Sequence, residues 1–323
     1  MNSTTATFND LTQTHLERVE ALMRSTSEAD SPSLNEAVDH LIDSGGKRIR
    51  PMMVILIGNL LGAPEDRLTS LAAAIEMLHT ATLVHDDLID NSLLRRGTPT
   101  INAQWSLGAA VLTGDYMFAR AAQLAASTGS LVLMKRFAQT LMTIVNGELD
   151  QLLRDQNEDL RQEYFNRIYA KTGSLFEVAS EGAAIISDAG DDTILRMKRF
   201  GYNLGIAFQI IDDVLDFTSS QDQIGKPNAN DLRQGLITLP TIYYLAEGPN
   251  GRELLDQLRG SQLAPEELDK VIQGIKESDA ILRSIDEAQG FIQAALENLA
   301  HLPPSAERDA LNDLAIFIVN RLN

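Results

Sequence analysis

Aspartate occurs twice in the same five-residue pattern: Asp86-Asp87-Leu88-Ile89-Asp90 and, 126 residues later, Asp212-Asp213-Val214-Leu215-Asp216. On an α-helix, residues i and i+4 are neighbours, so Asp86 with Asp90, and Asp212 with Asp216, each project two carboxylates from one face. Their sequence neighbours are core types, Leu83, Val84 and Leu88 around the first and Ile210, Ile211 and Val214 around the second. Paired like charges among apolar residues conflict with both repulsion and desolvation. A hard divalent cation, held by carboxylate oxygens with phosphate and water completing its shell, resolves that conflict. A single such cluster reads equally well as an exposed acidic patch; two with identical spacing favour the cation.

The basic residues are few but grouped. Gly45-Gly46-Lys47-Arg48-Ile49-Arg50-Pro51 sets three cations beside a glycine pair at an expected helix start, and Arg95-Arg96-Gly97 follows the first aspartate cluster. Backbone N–H groups at a helix start and arginine forks both match phosphate oxygens. Cations beside a metal-type cluster point to a substrate bearing diphosphate, and two such groups point to two diphosphates. Elsewhere the chain is acidic, with 27 basic against 45 acidic residues and a net charge of −18. That field, with aromatic residues at only 5%, excludes nucleic acid as a partner. The absence of cysteine excludes a disulfide framework and a thiolate nucleophile. A 44% hydrophobic, 22% charged composition excludes intrinsic disorder.

These side chains need long helices to position them. No proline lies between Pro99 and Pro227, and an interior proline costs a helix ~3 kcal/mol. Leu68, Leu71, Ile75 and Leu78 recur at helical spacing, as do Leu131, Met134, Phe137, Leu141, Ile144, Val145, Leu149 and Leu152. The pattern predicts helices over 8–24, 33–43, 48–62, 66–92, 108–127, 130–154, 162–188, 191–219, 236–247, 265–278, 280–300 and 305–322, with Gly173 marking a kink that frees nearby carbonyls. No connection has the length or composition of a linker, so residues 1–323 read as one all-α domain. The N-terminus lacks a basic and apolar leader, and no apolar stretch reaches ~18 residues, which gives the expectation of a cytoplasmic protein.

HDDLIDNSLLRRGTPT resembles the first aspartate-rich motif of the trans-isoprenyl (polyprenyl) diphosphate synthases, and QIIDDVLDFTSSQDQIGKP resembles their second. GGKRIRP, His79, Lys171-Thr172 and Gln209 also fall where that family has them, over about residues 35–245. The resemblance implies the isoprenoid synthase fold, a single-domain antiparallel helical bundle around a deep central cavity, and a likeness to homodimers. It implies addition of isopentenyl diphosphate to an allylic diphosphate, farnesyl or geranylgeranyl, with product release by transient membrane association. Its metal ligands would be Asp86, Asp87, Asp90, Asp212, Asp213 and Asp216, holding three magnesium ions. Arg95 and Lys226 would bind the allylic diphosphate; Lys47, Arg50, His79 and Arg96 would bind isopentenyl diphosphate; Lys171, Thr172 and Gln209 would stabilise the allylic cation.

In that family, bulk four or five residues before the first aspartate stops chain growth, and here those positions hold Thr82 and Ala81. Small side chains there, and the lack of an insertion in DDLID, imply an open tunnel and a long-chain product of about thirty to fifty carbons. The alternatives are a geranylgeranyl or other short-chain synthase and, from a different class, an HD-type metal-dependent phosphohydrolase using His85, Asp86 and His40. A terpene cyclase and a non-catalytic subunit of a heteromeric synthase are further rivals, opposed by the two intact motifs. Two positions depart from the family pattern: Leu236 follows Gly235 where a lysine is usual, and Ala229 replaces a frequent glycine.

Overall fold

A computed structural model describes residues 3–25, 31–153, 159–218, 228–260 and 262–322. The helices in chain order are α1 (Ser3–Arg24), α2 (Pro32–Asp43), α3 (Ile49–Leu61), α4 (Glu65–Ile89), α5 (Ile101–Gln104), α6 (Leu107–Ser127), α7 (Leu131–Leu153) and α8 (Leu160–Ile168). A π-helical segment, Tyr169–Gly173, joins α8 to α9 (Ser174–Ile186), followed by α10 (Asp191–Thr218), α11 (Asn230–Arg233), α12 (Leu239–Glu247) and α13 (Gly251–Arg259). The chain continues through α14 (Pro265–Glu277), α15 (Ala280–Leu299), α16 (Ala306–Val319) and a 3-10 turn at Asn320–Leu322. Starts follow local chemistry. The Ser31 hydroxyl accepts the Leu34 N–H with Pro32 in the first turn of α2, Ser106 accepts the Ala109 N–H of α6, and the Asp159 carboxylate accepts two backbone N–H groups of α8.

The chain divides into two compact units, one drawn from segments 1–141, 175–198 and 302–313, the other from 142–174, 199–301 and 314–323. In the first unit α3 and α4 are buried on all sides: residues 49–58 and 71–78 are all inaccessible, which no amphipathic surface helix allows. Helix α4 packs against α1, α3 and α6. Gly58 permits one of these close approaches, because a Cβ there would lie 2.3 Å from Leu68 Cδ1. In the second unit α12 packs against α13 and α15, and the buried face of α10 carries Leu204, Ile206, Ala207, Ile210, Ile211, Val214 and Phe217.

Several features differ from the predicted elements, among them the short helices α5 and α11, which no predicted helix covers. Helix α4 ends at Ile89, not residue 92, leaving Asp90 as its C-cap. A two-residue antiparallel hairpin pairs Leu94 with Pro99 and Arg95 with Thr98; Arg96 and Gly97, at φ of 53° and 79°, form the tight turn, too short a pattern for alternation to reveal. The predicted 162–188 helix is broken by the π segment at the position Gly173 marks. Helix α13 was not predicted, its few apolar residues lying behind Gly248-Pro249-Asn250-Gly251. Gly58→Ala should lower stability by about 1–3 kcal/mol through overpacking against Leu68; an unchanged thermal midpoint would contradict this close approach.

Candidate active site

In the first unit, Asp86, Asp87 and Asp90 occupy the last turn and C-cap of α4, and that turn carries no basic residue of its own. Carbonyl oxygens make that end of a helix negative, so each carboxylate there is disfavoured by ~0.3–1 kcal/mol unless a cation is near. The three are not equivalent. Asp87 is turned inward, 6% exposed, with Oδ2 accepting a 2.8 Å hydrogen bond from Arg95 Nε. Asp86 is half-buried and Asp90 exposed. Asp87 is thus a strut for Arg95 before it can be anything else, a departure from the expectation of three like ligands.

The cationic loop leads into α3. Arg48 caps that helix in the left-handed region, φ 47°, and its guanidinium is buried against Glu76 at 2.8 Å and Glu20 at 3.1 Å. The internal carboxylate of Glu76 thereby anchors the loop to α4. Arg50 lies over the Phe176 ring at 4.5 Å, Lys47 is exposed, and Arg96 donates to the Gly45 carbonyl. The His79 pKa is pushed well below its usual value by burial and then by Arg50, Arg96, Arg95 and Arg48. At neutral pH this histidine is therefore a neutral donor in a positive field, not a fifth cation. Two residues on, Ala81 is fully buried, and the next residue, Thr82, turns its hydroxyl back to the His79 carbonyl at 2.7 Å.

In the second unit, Asp212, Asp213 and Asp216 lie in the last two turns of α10, again without a basic residue in the final turn. Each has a different environment. Asp212, half-buried, pairs with Arg321 at 2.8 Å, and that guanidinium also lies over Phe208 at 4.7 Å. Asp213 is 3% exposed, with Oδ2 accepting from Tyr164 at 2.7 Å and Oδ1 accepting from Gln209 at 2.9 Å. Burial pushes its pKa up to about 7 against the lowering effect of those two donors. The two oxygens of Asp216 accept the Asn230 and Asp231 backbone N–H groups, both at 3.1 Å, and its carbonyl accepts that of Ala229. Ala229, where a glycine was expected, is fully buried at φ 55°. The Leu236 N–H closes onto the Asp231 carbonyl at 2.9 Å, so the position lacking a lysine completes this turn.

The same unit holds the remaining candidates. Thr172, on the π segment, donates to Gln209 Oε1 at 2.6 Å, and Lys171 pairs with Glu148 at 3.0 Å. Lys226 lies outside the described residues. Sequence reasoning missed Glu76, Glu148, Tyr164 and Arg321, and it grouped Arg48 with the phosphate-type cations where the structure pairs it with Glu76 and Glu20. Tyr164 precedes Lys171 by seven residues, two helical turns, and could have been found; Arg321 has no sequence signal.

A family model described as polyprenyl synthetase matches residues 31–275. The chain belongs to the polyprenyl synthetase family. It is 37% identical over 304 residues to heptaprenyl diphosphate synthase component 2 of Bacillus subtilis, covering 94% of this chain and 87% of that protein. A decaprenyl diphosphate synthase from Rhodobacter capsulatus superposes with a TM-score of 0.89 at 35% identity, covering 98% of each chain. A polyprenyl synthase from Caulobacter crescentus, solved with calcium and isoprenyl diphosphate, gives 0.89 at 34%, again covering 98% of each. The all-α synthase fold and prenyltransferase class inferred from the motifs stand on these likenesses.

The synthase motifs fit magnesium through the chemistry of their donors, hard carboxylate oxygens at uncompensated helix ends. Among the described residues no three His, Asp or Glu side chains converge as a ready-made metal cage. Magnesium bound chiefly through substrate phosphates needs only one or two carboxylates per ion, whereas a phosphohydrolase centre needs that cage. His40 and His85 are instead directed to the Pro99 and Val111 carbonyls, so nothing in their placement favours the hydrolase reading. Ala229→Gly should relieve the left-handed strain and raise stability by up to ~1 kcal/mol in urea denaturation; a loss of stability would contradict the strain.

Proposed function

We propose that this chain is a magnesium-dependent trans-polyprenyl diphosphate synthase, extending farnesyl or geranylgeranyl diphosphate with isopentenyl diphosphate to an all-trans long-chain product. The observation that carries the reading is the pair of aspartate motifs at the negative ends of α4 and α10, each without a compensating cation in the last turn. Asp86 and Asp90, with Asp212 and Asp216, would hold magnesium, three ions in all, on the allylic diphosphate. The buried Asp87 and Asp213 fit supporting roles better. The chemistry the ions supply when bound is neutralisation of the charge that develops on the departing pyrophosphate.

Arg95 and Lys226 add positive charge to that same diphosphate. Lys47, Arg50, Arg96 and the neutral His79 hold isopentenyl diphosphate, making its encounter with the allylic carbon effectively unimolecular. The allylic carbon–oxygen bond breaks with its electron pair on pyrophosphate. The double bond of isopentenyl diphosphate supplies the pair for the new carbon–carbon bond, and the proton then lost passes to a pyrophosphate oxygen. No side-chain base is required. Thr172, Gln209 and Lys171 line the cation's path with dipoles that stabilise it without capturing it.

A long product, about thirty to fifty carbons, is supported by the small Ala81 and the inward-folded Thr82. We read the protein as one synthase domain, supported by a family match that runs through segments of both units. A homodimer is supported by the exposed apolar stripe of α7, Met142, Val145, Leu149 and Leu152, at spacings of three, four and three. No helix among the described residues is long and apolar enough to cross a membrane. A cytoplasmic enzyme that meets membranes transiently to release product completes the reading.

Purified protein given farnesyl diphosphate, isopentenyl diphosphate and magnesium should make products beyond twenty-five carbons, and none after chelation. Products that stop at twenty carbons would refute the long-chain assignment. Ala81→Phe should shorten the distribution, and an unchanged distribution would remove Ala81 from the tunnel.

A further inference from the structure

Within the second unit a continuous hydrogen-bond chain runs Tyr164 to Asp213 to Gln209 to Thr172, with donor to acceptor distances of 2.7, 2.9 and 2.6 Å. Tyr164 and Asp213 are 1% and 3% exposed, and Thr172 is 6% exposed. The links run in one direction: Asp213 takes the Tyr164 hydroxyl on Oδ2 and the Gln209 NH2 on Oδ1. The Gln209 carbonyl is thereby turned toward Thr172, whose hydroxyl donates to it. A glutamine amide otherwise has two orientations of nearly equal shape, and the one with NH2 forward would present positive hydrogens where a cation is to form.

We propose that Tyr164 and Asp213 are positioning residues that fix the Gln209 amide with its oxygen end available to the allylic cation, and that Asp213 acts in this way rather than as a direct magnesium ligand. The role presupposes the prenyl transfer proposed above. Three observations support it beyond the hydrogen bonds. The Tyr164 ring is locked, edge-on to Phe165 at 5.3 Å and beneath the Arg167 guanidinium at 5.6 Å, while Arg167 is itself fixed on the Ile237 carbonyl at 2.5 Å. Thr172 is presented by the π segment, whose Gly173 fits between Ile206 and Tyr169 with 3.2 Å to each from a built Cβ. The side chains to either side of Asp213 in its motif have separate partners, Asp212 on Arg321 and Asp216 on the α11 backbone. A buried carboxylate with both oxygens committed to internal donors is the usual means of orienting a neighbouring polar group.

The test compares wild type, Tyr164→Phe, Asp213→Asn, Gln209→Ala and the Tyr164→Phe/Gln209→Ala double variant, each first checked for a cooperative thermal transition. Tyr164→Phe keeps the ring and removes only the hydroxyl. It should lower kcat ~10–100-fold while KM for both diphosphates and the magnesium concentration for half-maximal rate stay at wild-type values. The double variant should be no slower than Gln209→Ala alone, because both act through one amide. Asp213→Asn should likewise lower kcat at an unchanged magnesium requirement. Unchanged kcat in Tyr164→Phe, fully additive losses in the double variant, or a magnesium requirement raised tenfold or more in Asp213→Asn would each overturn the proposal. Should Tyr164→Phe fail to fold, Asp213→Asn and Gln209→Ala decide it on the same readouts. A wild-type protein that condenses no diphosphates would sink the functional reading instead.

Discussion

Six carboxylates at the negative ends of two helices form the constraint to which the side chains around each helix end answer. An isolated helix would favour lysine or arginine at those positions, and both α4 and α10 lack any basic residue in the last turn. The fold answers this by giving four of the six a different neighbour. Asp87 takes Arg95, Asp212 takes Arg321, Asp213 takes Tyr164 and Gln209, and Asp216 takes the first N–H groups of α11.

The acidic character of the chain then has a functional meaning. A net charge of −18 repels polyanions in general. Against it, Arg48, Arg50, Arg95 and Arg96 create a local positive field that adds to burial in lowering the His79 pKa. On the proposed function, phosphate recognition is local and rests on a few arginines. Arg48 shows how such a group is held: its partners Glu76 and Glu20 fix the guanidinium and, with it, the loop carrying Lys47 and Arg50. The buried Glu76 and Asp213 play matched parts, each a carboxylate spent on orientation rather than on substrate.

Much of this was legible in the sequence because the decisive signals are periodic or spaced. The helices follow from apolar recurrence and the missing prolines, and the DDxxD spacing survives any small error in helix limits. Gly173 foretold the break in 162–188, though not its π character. What could not be read was side-chain partnership. The three aspartates of each motif are identical in sequence, yet Asp87 and Asp213 differ from their neighbours because of Arg95 and Tyr164, eight and forty-nine residues away. Arg321 acts on Asp212 from a helix turn with no motif of its own. The hairpin at Leu94–Pro99 is too short to alternate, and α13 too polar to stand out.

The central claim is that the aspartate-rich helix ends require a cation bridged to diphosphate. Thermal denaturation with magnesium alone, inorganic pyrophosphate alone, and both together tests it directly, since a ligand bound only by the folded state raises the midpoint. The account predicts a rise of several degrees with both present and little change with either alone. An equal rise with magnesium alone would mean a ready-made metal cage, and no rise with both would mean that these carboxylates do not bind substrate-bridged metal.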